Sequence, residues 1–180
     1  MVVVDDEALA QRCRDLRNLC HMPGRRFVHE EIGWNYRMTN MQGALGLAQF
    51  EQIDTFIEKK RWIGNRYNEL LKDLPFMQLP LASTDYATNI YWVYGMMVDE
   101  NSPYTAPQIQ KALGERKIGT RTFFYPMHQQ PVFTNQGLYK GESYPVAEKM
   151  YRQGFYIPSG LGLEEEDIQI VADALKEIVK

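Results

Sequence analysis

The sequence predicts a chain of the α/β to α+β class, mainly helical before Pro75 and two-layered after it. Three observations carry that reading. Apolar residues recur in steps of three, four or seven from Met41 to Leu74, the period of a helix with one covered face. Apolar and aromatic residues alternate from Ile90 to Met97, the period of a strand with substantial surface on both faces. Between them the stretch Pro75 to Ser83 carries two prolines, and beyond it short apolar runs alternate with helical patterns.

Taken in order, Met1 to Val4 predicts a short buried strand, because three consecutive valines favour the pleated conformation. A strand without a sheet neighbour close by must pair elsewhere. Asp5 to about Cys20 predicts a helix with Leu9, Cys13, Leu16 and Cys20 on one face and Asp5, Asp6 and Glu7 at the positive end of its dipole. Pro23-Gly24 stops it. Residues 21–37 read as a polar and aromatic loop with neither helical nor strand period, the kind of connection that carries function. Thr39 or Asn40 then caps a single helix of about 30 residues that runs to Pro75. Gly43 and Gly46 near its start either admit a neighbouring backbone or are merely tolerated.

In the second half, Thr105-Ala106-Pro107 opens a helix to about Arg116, with proline early where its missing N–H costs nothing. Lys117 to Phe124 predicts a strand, Ser143 to Gln153 a helix, and Phe155 to Pro158 a short strand. The last helix carries Ile168, Val171, Leu175 and Ile178 as one stripe, and Glu164 to Asp167 open it as dipole partners rather than as a catalytic carboxylate cluster.

Composition narrows the chemistry. The 180 residues are 44% apolar and 24% charged, close to the globular average. Twenty Lys+Arg face 23 Asp+Glu, a net charge of −3 that argues against a nucleic-acid binder. No apolar run reaches the roughly 18 residues of a membrane span, and the acidic Asp5 to Glu7 following the valines are unlike a signal peptide. Cys13 and Cys20, on a helix, stand roughly 10 Å apart, too far for a disulfide, so a reduced, cytoplasmic compartment is expected. Neither cysteine has a partner at metal-binding spacing, and no metal site is predicted. The phosphate loop of nucleotide-binding proteins and the Gly-x-Ser-x-Gly elbow are both absent.

Two segments are left to carry chemistry. In Gly33-Trp34-Asn35-Tyr36-Arg37, the Asn35 amide, the Arg37 guanidinium and a helix start suit an anion such as a phosphate; the other reading is that Asn35 and Arg37 tie the loop to itself. In Thr120 to His128, a strand ends in aromatics flanked by Arg121 and His128, which can hold a flat base or a sugar ring. The other reading makes His128 a satisfied core group. Arginine among strand aromatics also suits single-stranded RNA, but the charge and the missing recognition signature speak against it.

The run Gly33-Trp-Asn-Tyr-Arg-Met-Thr-Asn-Met-Gln42-Gly-Ala-Leu-Gly-Leu-Ala-Gln49 and the run Thr120-Arg-Thr-Phe-Phe-Tyr-Pro-Met-His-Gln-Gln-Pro131, with Tyr156-Ile-Pro-Ser-Gly160, resemble the DegT/DnrJ/EryC1/StrS family of pyridoxal-phosphate-dependent sugar aminotransferases, most closely its GDP-perosamine-forming branch. The resemblance covers essentially the whole chain. It implies the C-terminal part of a type I aminotransferase fold: residues 1–37 as the tail of the large cofactor domain with an active-site loop, 38–74 as the long connecting helix, and 75–180 as a small α+β domain. It implies a homodimer in which Asn35 reaches the cofactor phosphate of the partner subunit. Trp34 and Arg37 border the shared site, and Arg121, Tyr125 and His128 lie beside a nucleotide-sugar substrate, with glutamate as the amino-acid donor.

The family's aldimine-forming lysine matches no lysine here and is expected upstream of Met1, together with the carboxylate at the cofactor ring nitrogen. Amino transfer requires both. The expectation is therefore a C-terminal half that does not hold pyridoxal 5'-phosphate by itself, its valine strand pairing with the missing N-terminal half. The alternative is a non-catalytic binding or dimerisation module derived from the same family.

Overall fold

A computed structural model describes residues 2–22 and 24–180; Met1 of the expected first strand and Pro23 of the expected stop lie outside them. The chain forms two compact units, residues 1–53 and 54–180.

The first unit opens without a strand. Val2 to Val4 pair with no other segment among the described residues, because a strand exists only through bonds to a neighbour. Helix α1 spans Glu7–Arg17, and Asp6 caps it by accepting from the Leu9 N–H. It ends before Cys20, where the sequence put its end. Leu19 and Cys20 take positive φ, and the segment Trp34–Tyr36 supplies partners for the last carbonyls of the helix. Trp34 N–H donates to Leu16 (2.7 Å) and Tyr36 N–H to Arg17 (3.0 Å). The expected shapeless loop holds a two-stranded antiparallel hairpin, β1 (His21–Met22) and β2 (Arg25–His29), with His21 opposite His29.

The single long helix is two helices. Helix α2 spans Asn40–Phe50 and helix α3 spans Ile53–Leu71, with Glu51 and Gln52 making a tightened turn in which the Gln52 N–H reaches back to Gln49 (3.2 Å). The apolar phase continues across that turn, which is why periodicity alone reads one element. Thr39 and Gln42 form a reciprocal capping box at the start of α2. Among the described residues no atom lies within 4 Å of a Cβ built on Gly46, and only the Met38 sulfur reaches 4.0 Å from one on Gly43. Met41 is 85% and Leu45 67% exposed.

The second unit is an antiparallel four-stranded sheet, ordered β3 (Met77–Gln78), β4 (Tyr94–Val98), β6 (Gly154–Ile157), β5 (Arg121–Thr122). Helices α3, α4 (Ala106–Glu115), α6 (Pro145–Gln153) and α7 (Glu165–Ile178) accompany it, with a 3₁₀ turn at Met127–Gln129 and a short α5 at Pro131–Thr134. Its core joins Ile63, Tyr67 and Leu71 of α3 to Tyr94 and Met96, Ile109 and Leu113, Phe155 and Ile157, and Ile168 and Leu175. These apolar positions recur at the helix and strand periods, and their burial is what holds the unit.

Two strands are shorter than their sequences suggest, each for a tertiary reason. Tyr91 turns into the left-handed region (φ 49°), and its ring fills the space that a Cβ at Gly64 of α3 would occupy, so pairing starts only at Tyr94. Lys117 is left-handed (φ 63°), and Lys117 and Ile118 close the end of α4 by donating to Gly114 and Leu113. Arg121 and Thr122 then pair in register with β6, and the Phe123 N–H adds one bond to Gly154 (3.4 Å). The acidic start of α7 is structural: Glu164 and Asp167 cap the helix, while Glu164 pairs with Lys59 (3.2 Å) and Glu165 with Arg66 (2.6 Å).

The tyrosine layer is hydrogen-bonded throughout. Tyr67, fully buried, donates its hydroxyl to the Pro158 carbonyl (2.9 Å), and Tyr94 donates to Asn68 (2.7 Å). Burial pushes both phenols well above their ordinary range, so both remain neutral donors. Tyr67→Phe keeps the ring but strips the Pro158 carbonyl of its donor, and urea denaturation is expected to show a loss of about 1–2 kcal/mol.

Candidate functional site

In the first unit the sequence Trp34-Asn35-Tyr36-Arg37 lies along the end of α1. Asn35 bridges Asn18 in antiparallel fashion, and the bonds from Trp34 and Tyr36 fix it on both sides. Gly33 makes this approach possible: a Cβ there would stand 2.6 Å from the backbone of Leu19 and Cys20. Arg37 donates through Nε (3.0 Å) and its backbone N–H (3.4 Å) to Asn35 Oδ1. Both bonds fall on the amide oxygen of this exposed side chain, so neither uses its NH2 group. Trp34 and Tyr36 stack in parallel beside it (7° between planes, centroids 6.3 Å apart).

The helix start contributes less to an anion site than the sequence suggests. The capping box commits two groups, the Thr39 N–H to Gln42 Oε1 (2.9 Å) and the Gln42 N–H to Thr39 Oγ1 (3.3 Å). Outside that box the segment offers the Asn35 amide, whose oxygen Arg37 engages.

In the second unit Arg121 stands exposed on β5 at the edge of a cleft of about 310 Å³, lined also by Val93, Thr120, Tyr156, Pro158 and Ser159. The ring of Phe123, just past Arg121, covers Gly95 of β4 and Gly154 of β6, where a Cβ on either would strike it. Tyr125 meets Tyr151 edge-on at 4.9 Å. His128 does not face solvent. It is buried, with Nε2 2.9 Å from Glu148 Oε1 and its ring edge-to-face with Tyr144. The His128 hydrogen bond, and after it the Tyr144 N–H, hold the Glu148 carboxyl below the ordinary carboxylate range.

The lysines test whether these residues fit a pyridoxal group. All nine follow Phe56 in sequence. Lys60 is the one that burial pushes down, yet its ammonium is spent on the carbonyls of Trp92 (3.0 Å) and Ser159. Lys59, Lys149 and Lys176 pair with Glu164, Glu100 and Asp173. Asn35, for its part, offers a donor of the kind a phosphate takes. Among the described residues no three His, Cys, Asp or Glu are grouped to hold a metal, and no helix is long and apolar enough to cross a membrane.

Sequence reasoning missed Glu148, Tyr156 and Ser159. Glu148 stands 20 positions after His128 and reads by itself as an acidic first-turn residue of α6. Tyr156 and Ser159 join Arg121 only through the pairing of β5 with β6.

The arrangement is a partial aminotransferase fold. Helicobacter pylori PseC, an aminotransferase involved in the biosynthesis of pseudoaminic acid, superposes with a TM-score of 0.86 at 21% identity, over 98% of this chain and 47% of that one. S. venezuelae DesV, solved in complex with a ketimine intermediate, superposes with a TM-score of 0.83 at 27% identity, over 99% of this chain and 46% of its own. The DegT/DnrJ/EryC1/StrS aminotransferase family matches residues 1–176, and the chain belongs to that family. GDP-perosamine synthase of Escherichia coli O157:H7 is 32% identical over 177 residues (98% of this chain, 46% of the relative), and that of Vibrio cholerae 30% over 176 residues (98% and 47%). The chain spans about half the length of the curated relatives it matches.

Proposed function

We propose that this chain is the C-terminal portion of a pyridoxal-phosphate-dependent aminotransferase that transfers an amino group from glutamate to a GDP-linked 4-keto-6-deoxy sugar. The observation that carries the proposal is the family match along 176 residues, set beside GDP-perosamine synthases as relatives at 30% identity or above. Pyridoxal phosphate, when bound, supplies the electron sink for amino transfer. This chain's part is binding and orientation. Asn35 donates its amide to the cofactor phosphate across a homodimer, with Trp34 and Arg37 bordering that site. Arg121, Tyr125 and His128 belong to the border of the sugar nucleotide, Arg121 facing it and His128 anchoring the segment from within. Residues 1–37 complete the large domain, and 75–180 form the small one. The apolar side chains that the first unit leaves exposed, Met41 and Leu45 among them, meet the homodimer partner or the other half of the enzyme.

The experiment is reconstitution. The chain, co-expressed with the half of the enzyme that carries the cofactor lysine, is expected to aminate a GDP-linked 4-keto-6-deoxy sugar with glutamate as donor. GDP binding without amino transfer would favour the non-catalytic module instead. In the reconstituted enzyme Arg121→Ala is expected to weaken GDP binding about tenfold, as loss of a charge-assisted bond to phosphate does. Calorimetry measures it.

A further inference from the structure

Among the described residues, the buried tyrosines and Cys20 aside, His128 is the one charged or polar side chain in the buried set, and the structure gives it a carboxylate rather than a backbone carbonyl as partner. Three donors converge on Glu148 Oε1: His128 Nε2 at 2.9 Å, the Tyr144 N–H at 3.2 Å and the Ser143 hydroxyl at 3.5 Å. Arg152 lies 4.0 Å from Oε2, one turn further along α6. A single carboxylate thus pins both ends of the excursion 128–144, which departs from the sheet after β5 and returns at α6. Upstream, the Phe123 ring in its glycine slot makes a second anchor. Tyr125 lies between the two anchors, and Arg121 two residues before the first.

We propose that Glu148 is a positioning residue: through His128 it latches the segment 123–131, and with it the attitude of Tyr125 and of the cleft beside Arg121. This rests on reading that segment as the border of the sugar nucleotide. An apolar side chain at 128 would fill the same space but impose no direction, whereas a ring nitrogen facing a shared carboxylate admits one orientation. The groups facing Glu148 are His128 from the 3₁₀ turn, Ser143 and Tyr144 before α6, and Arg152 on α6. Each donates to it or is cationic, so the latch needs the carboxylate ionised. Since His128 and Tyr144 hold that carboxyl below its ordinary value, the latch is intact above about pH 4.5 and is lost as pH falls through the lowered value.

The test uses the full 180-residue chain as wild type, Glu148→Gln and Glu148→Ala, with amide hydrogen exchange of residues 124–130 and calorimetric binding of GDP. Glu148→Ala is expected to speed exchange in that segment by about tenfold and to weaken GDP by a similar factor. Glu148→Gln removes the charge that the latch needs and is expected to show already at pH 7 the faster exchange and the weaker GDP binding that wild type shows only in acid. Wild type is expected to lose protection of 124–130 as pH falls below the ordinary carboxylate range, and Glu148→Gln to show no such step. Unchanged exchange in Glu148→Ala overturns the latch, and fast exchange with unaltered GDP affinity overturns the positioning role. If GDP does not bind the wild type while exchange responds as expected, the latch is supported and the reading of the segment as a nucleotide border fails. Should Glu148→Ala not fold, the Glu148→Gln pH profile decides: a step like that of wild type overturns the proposal.

Discussion

Gly154→Ala is expected to destabilise residues 54–180 by about 3 kcal/mol, the upper part of the range for overpacked cores, and to lower the melting temperature by roughly 10 °C. Gly154 opens β6 opposite Met97, and its φ of −98° suits any residue, so conformational freedom is not the reason. Space is. An added Cβ would collide with the Phe123 ring and would stand 2.5 Å from the Met150 carbonyl oxygen. The ring could swing aside only by leaving the slot that fixes the exit of β5, and the carbonyl belongs to α6. Gly114 in α4 is the control. Nothing lies within 4 Å of a Cβ there, and Gly114→Ala is expected to raise stability by up to about 1 kcal/mol through helix propensity. Thermal unfolding checks both. An unaltered melting temperature in Gly154→Ala would mean that the Phe123 slot holds nothing in place.

The second large effect concerns the cofactor. In the reconstituted enzyme, Asn35→Ala is expected to weaken pyridoxal-phosphate retention by about 1.5–3 kcal/mol, a charge-assisted hydrogen bond to phosphate. That is roughly 10- to 150-fold in dissociation constant. Because Arg37 bonds to the amide oxygen, the substitution also frees the guanidinium. Asn35→Asp separates the two contributions, since it keeps the acceptor for Arg37 and replaces the donor toward the phosphate with a negative charge. Retention measured by cofactor absorbance after dialysis is expected to fall further in Asn35→Asp than in Asn35→Ala. Equal retention in all three proteins would make Asn35 a tie between Arg37 and the end of α1, and nothing more.

These expectations rest on features of unequal legibility. Helices α4, α6 and α7 were readable because each opens with local chemistry, proline at the first positions or a capping residue, and α4 and α7 also bury one complete face. The break between α2 and α3 was not, since Phe50, Ile53 and Phe56 keep helical phase across it. The late start of the expected strand at 90–97 was hidden for a different reason: Tyr91 is turned by a vacancy on Gly64, 27 positions earlier. In the candidate sites the same rule holds. Asn35 and Arg37, two apart, were found together because their contact is local. His128 was found but not its partner, since only the return of the chain to α6 brings Glu148 beneath it.

The described part of residues 1–53 contains a single side chain in the buried apolar set, Cys20, whereas residues 54–180 hold all the others. A stretch with so little interior is open to mass action: its order is expected to rise with the concentration of a surface that covers it and to fall on dilution.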